Sequence, residues 1–517
     1  MKRILLFMLS CFVVSAQALF AEEAEETYWT YTEEGQDHNS IGYGYITNGV
    51  WKLYAKRNSK NSSNLYVDVT NGEFKGEATK VYPINLTYIY NNSEKSQRFF
   101  VTSFGYFSSN TSNKYFQEHK DRLSEFIAPD CTLISGVAGS SGYNFYQCTS
   151  LTNVVLNEDL KDLPTSAFAG CSELVNFYPR SFKKCSKIMG SVFSGCKKLA
   201  GKFVFDACTT VGGDSVFNGC ELIEEVYMPV AGKISGNMFK GCLSLEKVYM
   251  PSALSIGVSA FENTEKLTDL TVSPNLEQIA SAAFKNSTGL PPDFFNRIAG
   301  RQLKYFGSKD FKTMGSEFLG CTSLTSLIWN FPNLETNVVN SSCFSGCSSL
   351  GKVVFKTPVA EIRANAFRNI KEGAEIYLPK EVPQKFGEWA IGIMKANKDN
   401  PVAWPKAFVP DETKDQWLEA MGQTCRYFKK EQFNVSDAEA YGKNHQYYGY
   451  ISWAHALAIM KLDTDMCTYD SESKRLTIKD KRVIGFVFAQ NHNKSTPECY
   501  GCWVLRAPES GFRMIVR

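Results

Sequence analysis

The chain has 517 residues, of which 44% are hydrophobic, and its 56 Lys and Arg against 53 Asp and Glu leave a formal charge of only +3. That length exceeds what one hydrophobic core normally holds, so several parts are expected. The balanced charge offers no basic stripe for nucleic acid, which is excluded as an expected partner.

The first residues read as an export signal. Met1-Lys2-Arg3 is a charged start, Ile4 to Val14 an apolar run, and Ala16-Gln17-Ala18 a small-x-small cleavage site, which assigns residues 1–18 to a signal peptide and starts the mature chain at Leu19 or Glu22. Met8-Leu9-Ser10-Cys11 suggests a lipoprotein cut, but the apolar run continues through Phe12-Val13-Val14, which argues against lipidation. Nothing later is apolar for long enough to span a bilayer. The protein is therefore expected to be secreted, or held at the cell surface by noncovalent contacts.

Residues 22–120 open acidic and become rich in Tyr, Asn and Ser. The alternating stretches Val50 to Tyr54, Asn64 to Val69 and Leu86 to Tyr90, separated by Asn-Gly and Ser-rich turns, predict a small β-rich domain. Its position suggests that it caps the first turn of the repeat region that begins near residue 121. A carbohydrate-binding module is the alternative, because exposed Trp and Tyr stack on sugar rings, but half-buried strands need aromatic residues anyway.

Residues 121–380 repeat one phrase about every 22 to 26 residues: Phe168-Ala-Gly-Cys171-Ser-Glu-Leu174, Phe193-Ser-Gly-Cys196-Lys-Lys-Leu199, Phe239-Lys-Gly-Cys242-Leu-Ser-Leu245, Phe318-Leu-Gly-Cys321-Thr-Ser-Leu324 and Phe344-Ser-Gly-Cys347-Ser-Ser-Leu350. A fixed period of this length means a supersecondary unit stacked on copies of itself, each too small to bury its apolar face alone. After the leucine comes a short alternation, as in Leu245-Glu-Lys-Val248-Tyr249-Met250-Pro251. Period-2 alternation predicts a strand with Val248 and Met250 inward and Tyr249 outward, ended by a proline that lacks a ladder donor. Stacked, these strands form a parallel sheet. A return segment, as in Ile234 to Phe239, Ile279 to Phe284 and Ile362 to Phe367, is expected to be a short coil or single helical turn with inward anchors. Positions 291–317 break the phrase with Pro291-Pro292 and Phe294-Phe295, so an irregular turn is expected there.

The Phe-x-Gly-Cys-x-x-Leu-x-x-Val-x-Leu-Pro phrasing resembles the BspA-type leucine-rich repeat of bacterial and protist surface and secreted proteins. The resemblance implies a leucine-rich-repeat solenoid with a parallel β-sheet on one face, and an extracellular binding or adhesion role. It supplies no ligand.

Residues 381–517 lose the period and are expected to hold a capping segment and a small α+β domain, with a helix over Pro410 to Met421 and strands at Arg475 to Ile478, Val483 to Phe488, Cys502 to Leu505 and Phe512 to Val516.

Sixteen cysteines in an exported protein would ordinarily signal disulfides. Equivalent side chains on stacked turns, however, run parallel about 4.8 Å apart, beyond the ~3.8 Å Cβ spacing of a disulfide. The same slot also accepts Thr264 and Ser287, so it wants a small, weakly hydrogen-bonding side chain rather than a bond partner. Cys171, Cys196, Cys220, Cys242, Cys321 and Cys347 are therefore expected to remain reduced. Cys499 and Cys502 could form a tight-turn disulfide or remain two thiols. Catalysis would have to use Cys425, Cys467, Cys499 or Cys502 with His445, His455 or His492, but Cys425 lies in no nucleophile motif and the cysteine pair lacks a second ligand pair for zinc. No enzyme activity, metal or cofactor is expected.

The candidate ligand-binding residues are the outward strand positions Tyr178, Tyr227, Tyr249, Thr271, Ile328, Val354 and Tyr377, with Ile127 and Val155 before them. The function expected is non-catalytic, adhesin-like binding of a protein or glycan at the cell surface. The alternatives are a secreted scaffold, or a spacer presenting a C-terminal Cys/His hydrolase domain.

Overall fold

The computed structural model describes the backbone of eight strands between residues 28 and 104, and then residues 121–129, 131–134, 144–298, 302–307, 315–387, 390–391, 394–396, 403–424, 426–430, 463–470, 472–473, 475–490 and 499–508. The signal-peptide expectation, Cys425, His445, His455, His492 and the strand expected at Phe512 to Val516 lie outside these residues. The chain divides into two compact units, residues 1–199 with 205–207, and residues 200–204 with 208–517.

The first unit joins an N-terminal sheet to stacked turns. Tyr28–Gln36, Gly42–Thr47, Trp51–Arg57 and Leu65–Phe74 pair antiparallel in sequence order, with Asn85–Tyr90 and Ser93–Gln97 added on one side and Phe99–Phe104 on the other. Two short pairings tie this sheet region to the repeat. Phe99–Phe104 pairs with Leu133–Ile134, and Lys80–Val81 pairs with Glu125–Ile127, the first strand of the stack. Asn153–Val155 and Asn176–Tyr178 then continue the stack in parallel. The backbone edge of the first turn is thereby paired, which removes a template for unwanted strand addition.

The second unit carries further parallel panels. Gly201–Phe205, Ile223–Tyr227, Lys247–Met250 and Asp269–Val272 form one. Ser326–Trp329, Lys352–Phe355, Glu375–Tyr377 and Lys406–Val409 form another, which Cys499–Arg506 extends in parallel and Val483–Gln490 and Arg426–Lys429 extend antiparallel. Each return segment begins at the end of a two-residue strand, as in Ser255–Ile256, Gln278–Ile279 and Glu361–Ile362, and continues as a single turn closed by bonds such as Ala283 N to Ala280 O.

Inside each unit the repeat phenylalanines stack face to face. In the first, Phe145, Phe168 and Phe193 lie 5.1 and 5.7 Å apart. In the second, Phe217, Phe239, Phe261, Phe284, Phe318, Phe344 and Phe367 follow at centroid separations between 5.0 and 5.8 Å. All of these rings are fully buried. The glycine of the phrase has a positive φ, +71° at Gly241 and +74° at Gly346, a region closed to most side chains. Asn263, Asn286 and Asn369 occupy the same place at φ between 54° and 61°, a region Asn tolerates better than most residues, and Gln147 does so at 57°.

The cysteine slot has a defined job. Each donor reaches back one turn to a buried phenylalanine carbonyl: Cys171 to Phe145, Cys196 to Phe168, Cys242 to Phe217, Cys321 to Phe284 and Cys347 to Phe318, at 2.9 to 3.2 Å. Ser287 makes the same bond to Phe261 at 2.6 Å, and the single Thr264 hydroxyl proton is within reach of the Phe261 carbonyl of its own turn at 2.9 Å or of Ser287 Oγ at 3.0 Å. The slot favours a small donor in these turns, whereas the turn of Phe367 places the buried Ile370 there.

Pro291 and Pro292 turn the expected strand of their repeat into a short helix, Phe294–Ile298, whose Phe294 and Phe295 remain buried against Phe284 and Phe318. Asn296 Oδ1 accepts from the Ile328 amide at 2.8 Å and its Nδ2 donates to Ser326 at 2.9 Å, replacing the missing strand's backbone.

Past the repeat, Asp411–Thr413 and Lys414–Gly422 form a 3-10 turn and an α-helix that bury Trp417, Leu418 and Met421, and Trp417 Nε1 donates to the Pro379 carbonyl at 3.1 Å.

Candidate binding face on the parallel sheet

The outward strand positions differ in exposure. Tyr178 in the first unit is exposed, with Ile127 and Val155 half-buried. In the second unit Tyr249 is exposed, and Tyr227, Thr271 and Ile328 are half-buried. Tyr227 and Tyr249 face each other in register across neighbouring strands, their ring centroids 5.8 Å apart and tilted by 34°.

Two of the candidate positions depart from the expectation. Val354 is only 1% exposed, because its in-register neighbours Ile328 and Tyr377 are both larger and close over a short β-branched side chain. Tyr377 is half-buried: its ring stacks on Phe408 at 4.7 Å, and its hydroxyl donates to Glu375 at 3.0 Å. Burial, and then Glu375, pushes the Tyr377 hydroxyl up to about 12. Arg482 in turn lies 5.3 Å over the Phe408 ring, so C-terminal segments cover this end of the sheet face.

A charged row runs beside the tyrosines. Lys202 pairs with Glu225 at 3.6 Å and Lys247 with Asp269 at 2.6 Å, while Glu225 and Lys247 are in register between them. The hydrogen bond from Lys247 to Asp269 holds that ammonium above its usual range. These exposed pairs order the face more than they stabilise it. The Lys202 ammonium sits 3.9 Å from the Tyr227 ring centroid, which occupies one face of that ring.

Aliphatic side chains flank the same turns. Of the eight exposed large hydrophobic residues among the described ones, six lie between 222 and 258: Leu222, Val230, Leu243, Tyr249, Leu254 and Val258. Single exposed apolar residues are ordinary, but here six fall on consecutive turns. Outward-strand reasoning missed all but Tyr249. The available signal was alignment: Leu222 stands where neighbouring repeats have Lys198 and Ser244, and Leu243 where they have Lys197 and Glu221.

The cysteine pair near the C-terminus is not a tight turn. Cys499 and Cys502 belong to one extended strand, where the backbone of residues three apart is separated by about 10 Å. Cys502 keeps its thiol, which is buried and donates to the Trp503 carbonyl. Among the described residues no group of three His, Cys, Asp or Glu side chains could hold a metal ion, and no helix is long and apolar enough to cross a membrane.

Comparison with known proteins points the same way as the turns. Residues 128–224, 181–291 and 301–391 match the family model for the BspA type leucine rich repeat region, in six copies. Among solved structures, a leucine-rich repeat protein of Bacteroides ovatus is 19% identical, covering 70% of this chain and 94% of its own, with a TM-score of 0.40. A leucine rich cell surface protein of Faecalibacterium prausnitzii is 19% identical over 63% of this chain and 94% of its own, with a TM-score of 0.36. The pneumococcal vaccine antigen PcpA is 17% identical over 68% of this chain and 95% of its own, with a TM-score of 0.32. No curated protein matches the chain.

Proposed function

We propose that this chain, whose repeat region belongs to the BspA-type leucine-rich repeats, is an exported, non-catalytic protein that binds a protein partner through the turns between residues 217 and 261. The observation that carries the reading is the gathering of exposed Leu222, Val230, Leu243, Tyr249, Leu254 and Val258 on those turns. Aliphatic surface of this kind is buried by another protein, and tyrosine is enriched where such contacts are strongest.

A glycan suits the face less well. Sugar rings stack on open aromatic faces, whereas Tyr227 has Lys202 over one face and is tilted 34° from Tyr249, so the two rings form no flat platform. Leu and Val also offer nothing to sugar hydroxyls. The N-terminal β-rich region and the segment after residue 380 act in this reading as caps, supported by their strand pairing to the first and last turns of the repeat. Export follows from the charged start, apolar run and small-x-small site of residues 1–18.

The test uses the full mature chain carrying a photo-crosslinking residue at position 249, exposed to surface proteins of candidate cells. The captured partner is then purified, deglycosylated and titrated against wild type and the Tyr227→Ala/Tyr249→Ala double variant. Binding that survives deglycosylation and weakens by more than about 2 kcal/mol in the variant supports the proposal. Full affinity in the variant would move binding to the terminal regions or favour the scaffold reading, and loss on deglycosylation would restore the glycan.

A further inference from the structure

Where the phrase is interrupted, both strand ladders of the second unit also break. Among the described residues no strand pairing joins Asp269–Val272 to Ser326–Trp329, or Tyr305–Phe306 to Val338–Val339. The regular backbone bonds that persist run along the phenylalanine column, from the Ala282, Phe284 and Asn286 amides to the Gly315, Glu317 and Leu319 carbonyls. Beside the strands the Thr325 amide also reaches the Pro292 carbonyl and the Glu335 amide the Lys304 carbonyl, each at 3.1 Å, and side chains supply further bonds. Asn296 does so on the wide sheet, and on the narrow one Asn340 Nδ2 donates to the Phe306 carbonyl at 2.8 Å.

Asn340 Nδ2 also donates to Glu317 Oε1 at 2.9 Å. Glu317 immediately precedes Phe318, where other turns place Ala167, Val192, Val216, Met238, Ala260, Ala283 and Ala366, and it is fully buried. Its Oε2 lacks a conventional hydrogen-bond partner, with the weakly donating Cys343 thiol lying against the carboxylate. Gly307 closes over the pair so tightly that a Cβ there would lie 2.4 Å from Asn340 Nδ2 and 2.9 Å from Glu317 Oε1. The titratable and charged groups facing Glu317 are Cys343 from the next turn and Arg363 from the turn after, the latter bonded to Asn340 Oδ1 at 3.3 Å and paired with Glu361 at 3.3 Å.

We propose that Glu317, Asn340 and Cys343 form a proton-operated clasp at this joint, closed when Glu317 carries a proton and loosened when it does not. The neutral acid can satisfy Oε2 with its own proton and leaves no buried charge, whereas the carboxylate has its own backbone amide, the Asn340 amide, the weak Cys343 donor and a distant guanidinium to offset its desolvation. Burial pushes the Glu317 carboxyl up to about 7, with its own backbone amide, Cys343, Asn340 and Arg363 opposing only in part. The linkage has a definite sign. Between the unfolded carboxyl's ordinary value near 4.5 and the folded value near 7, the closed joint holds a proton that the opened one releases, so closure weakens as pH rises through that window and is flat on either side.

Hydrogen exchange of the full chain at pH 5 and pH 8, corrected for intrinsic rates, reads the clasp in peptides covering 302–307 and 315–345, with peptides covering 233–262 as an internal reference. Protection at the joint should fall on the order of a hundred-fold between the two pH values, while the reference stays level. Glu317→Gln, which keeps the shape without the titration, should remove the difference. An unchanged pH response in that variant overturns the proposal. So does a wild-type joint that tracks the reference, a comparison that requires no variant to fold.

Discussion

The Cys347 thiol donates to the carbonyl oxygen of Phe318, one turn back, at 3.1 Å. Both groups are buried, and the same bond recurs down the stack. The Phe318 carbonyl also accepts from the Cys321 amide of its own turn at 3.2 Å, so the thiol is a second donor that ties one turn to the next.

Replacing Cys347 with Ala removes this second donor and should destabilise the second unit by about 0.5–1.5 kcal/mol, while Cys347→Ser, which keeps the donor as Ser287 does, should cost less. Urea unfolding of the two variants measures the difference. Equal costs would mean that the slot selects volume rather than a donor.

The column should also be chemically silent in the native state. Burial pushes the Cys347 thiol up to about 12 and drives Cys171, Cys242 and Cys321 well above the ordinary thiol range. Cys171, Cys196, Cys220, Cys242, Cys321 and Cys347 should resist alkylation at pH 8 and react once the chain is denatured. A disulfide joining any two of them in a mass-spectrometric map would refute the geometry.

Phe239 lies between Phe217 and Phe261, at 5.8 and 5.4 Å, and has no solvent exposure. Truncation to Ala should cost roughly 3–5 kcal/mol, because a ring-sized void inside a rigid stack collapses poorly. Differential exchange on either side of the turn would locate the damage, and a cost under about 1 kcal/mol would contradict the stacked core.

Gly241, at φ +71°, separates conformational from steric demands. Gly241→Asn should be nearly neutral, since Asn263, Asn286 and Asn369 hold the equivalent turn, whereas Gly241→Val should lose about 1–3 kcal/mol to left-handed backbone strain. Thermal unfolding of both variants orders them, and a reversed order would reject the turn assignment.

The repeat was legible in the sequence because each element of the phrase answers a local demand met identically in every turn. Phe168 and its successors fill the stack, Gly170 or its Asn counterparts adopt positive φ, and Cys171 or its Ser and Thr counterparts donate. Periodicity then places the strand and its outward residue. Only the tertiary structure decided which outward residues reach solvent. Val354 and Tyr377 are covered by in-register neighbours and by Phe408 and Arg482, contacts with no local signal. Cys499 and Cys502 read as a turn by spacing, yet pairing with Lys406–Val409 and Val483–Gln490 holds them in one extended strand. Glu317 likewise gave no sign of its place in an apolar column, because 34 residues separate Phe284 from Phe318 and the period that assigns every other turn is lost across that stretch. Local conformation repeats with the chain, whereas burial and partnership depend on which distant segment arrives to cover each side chain.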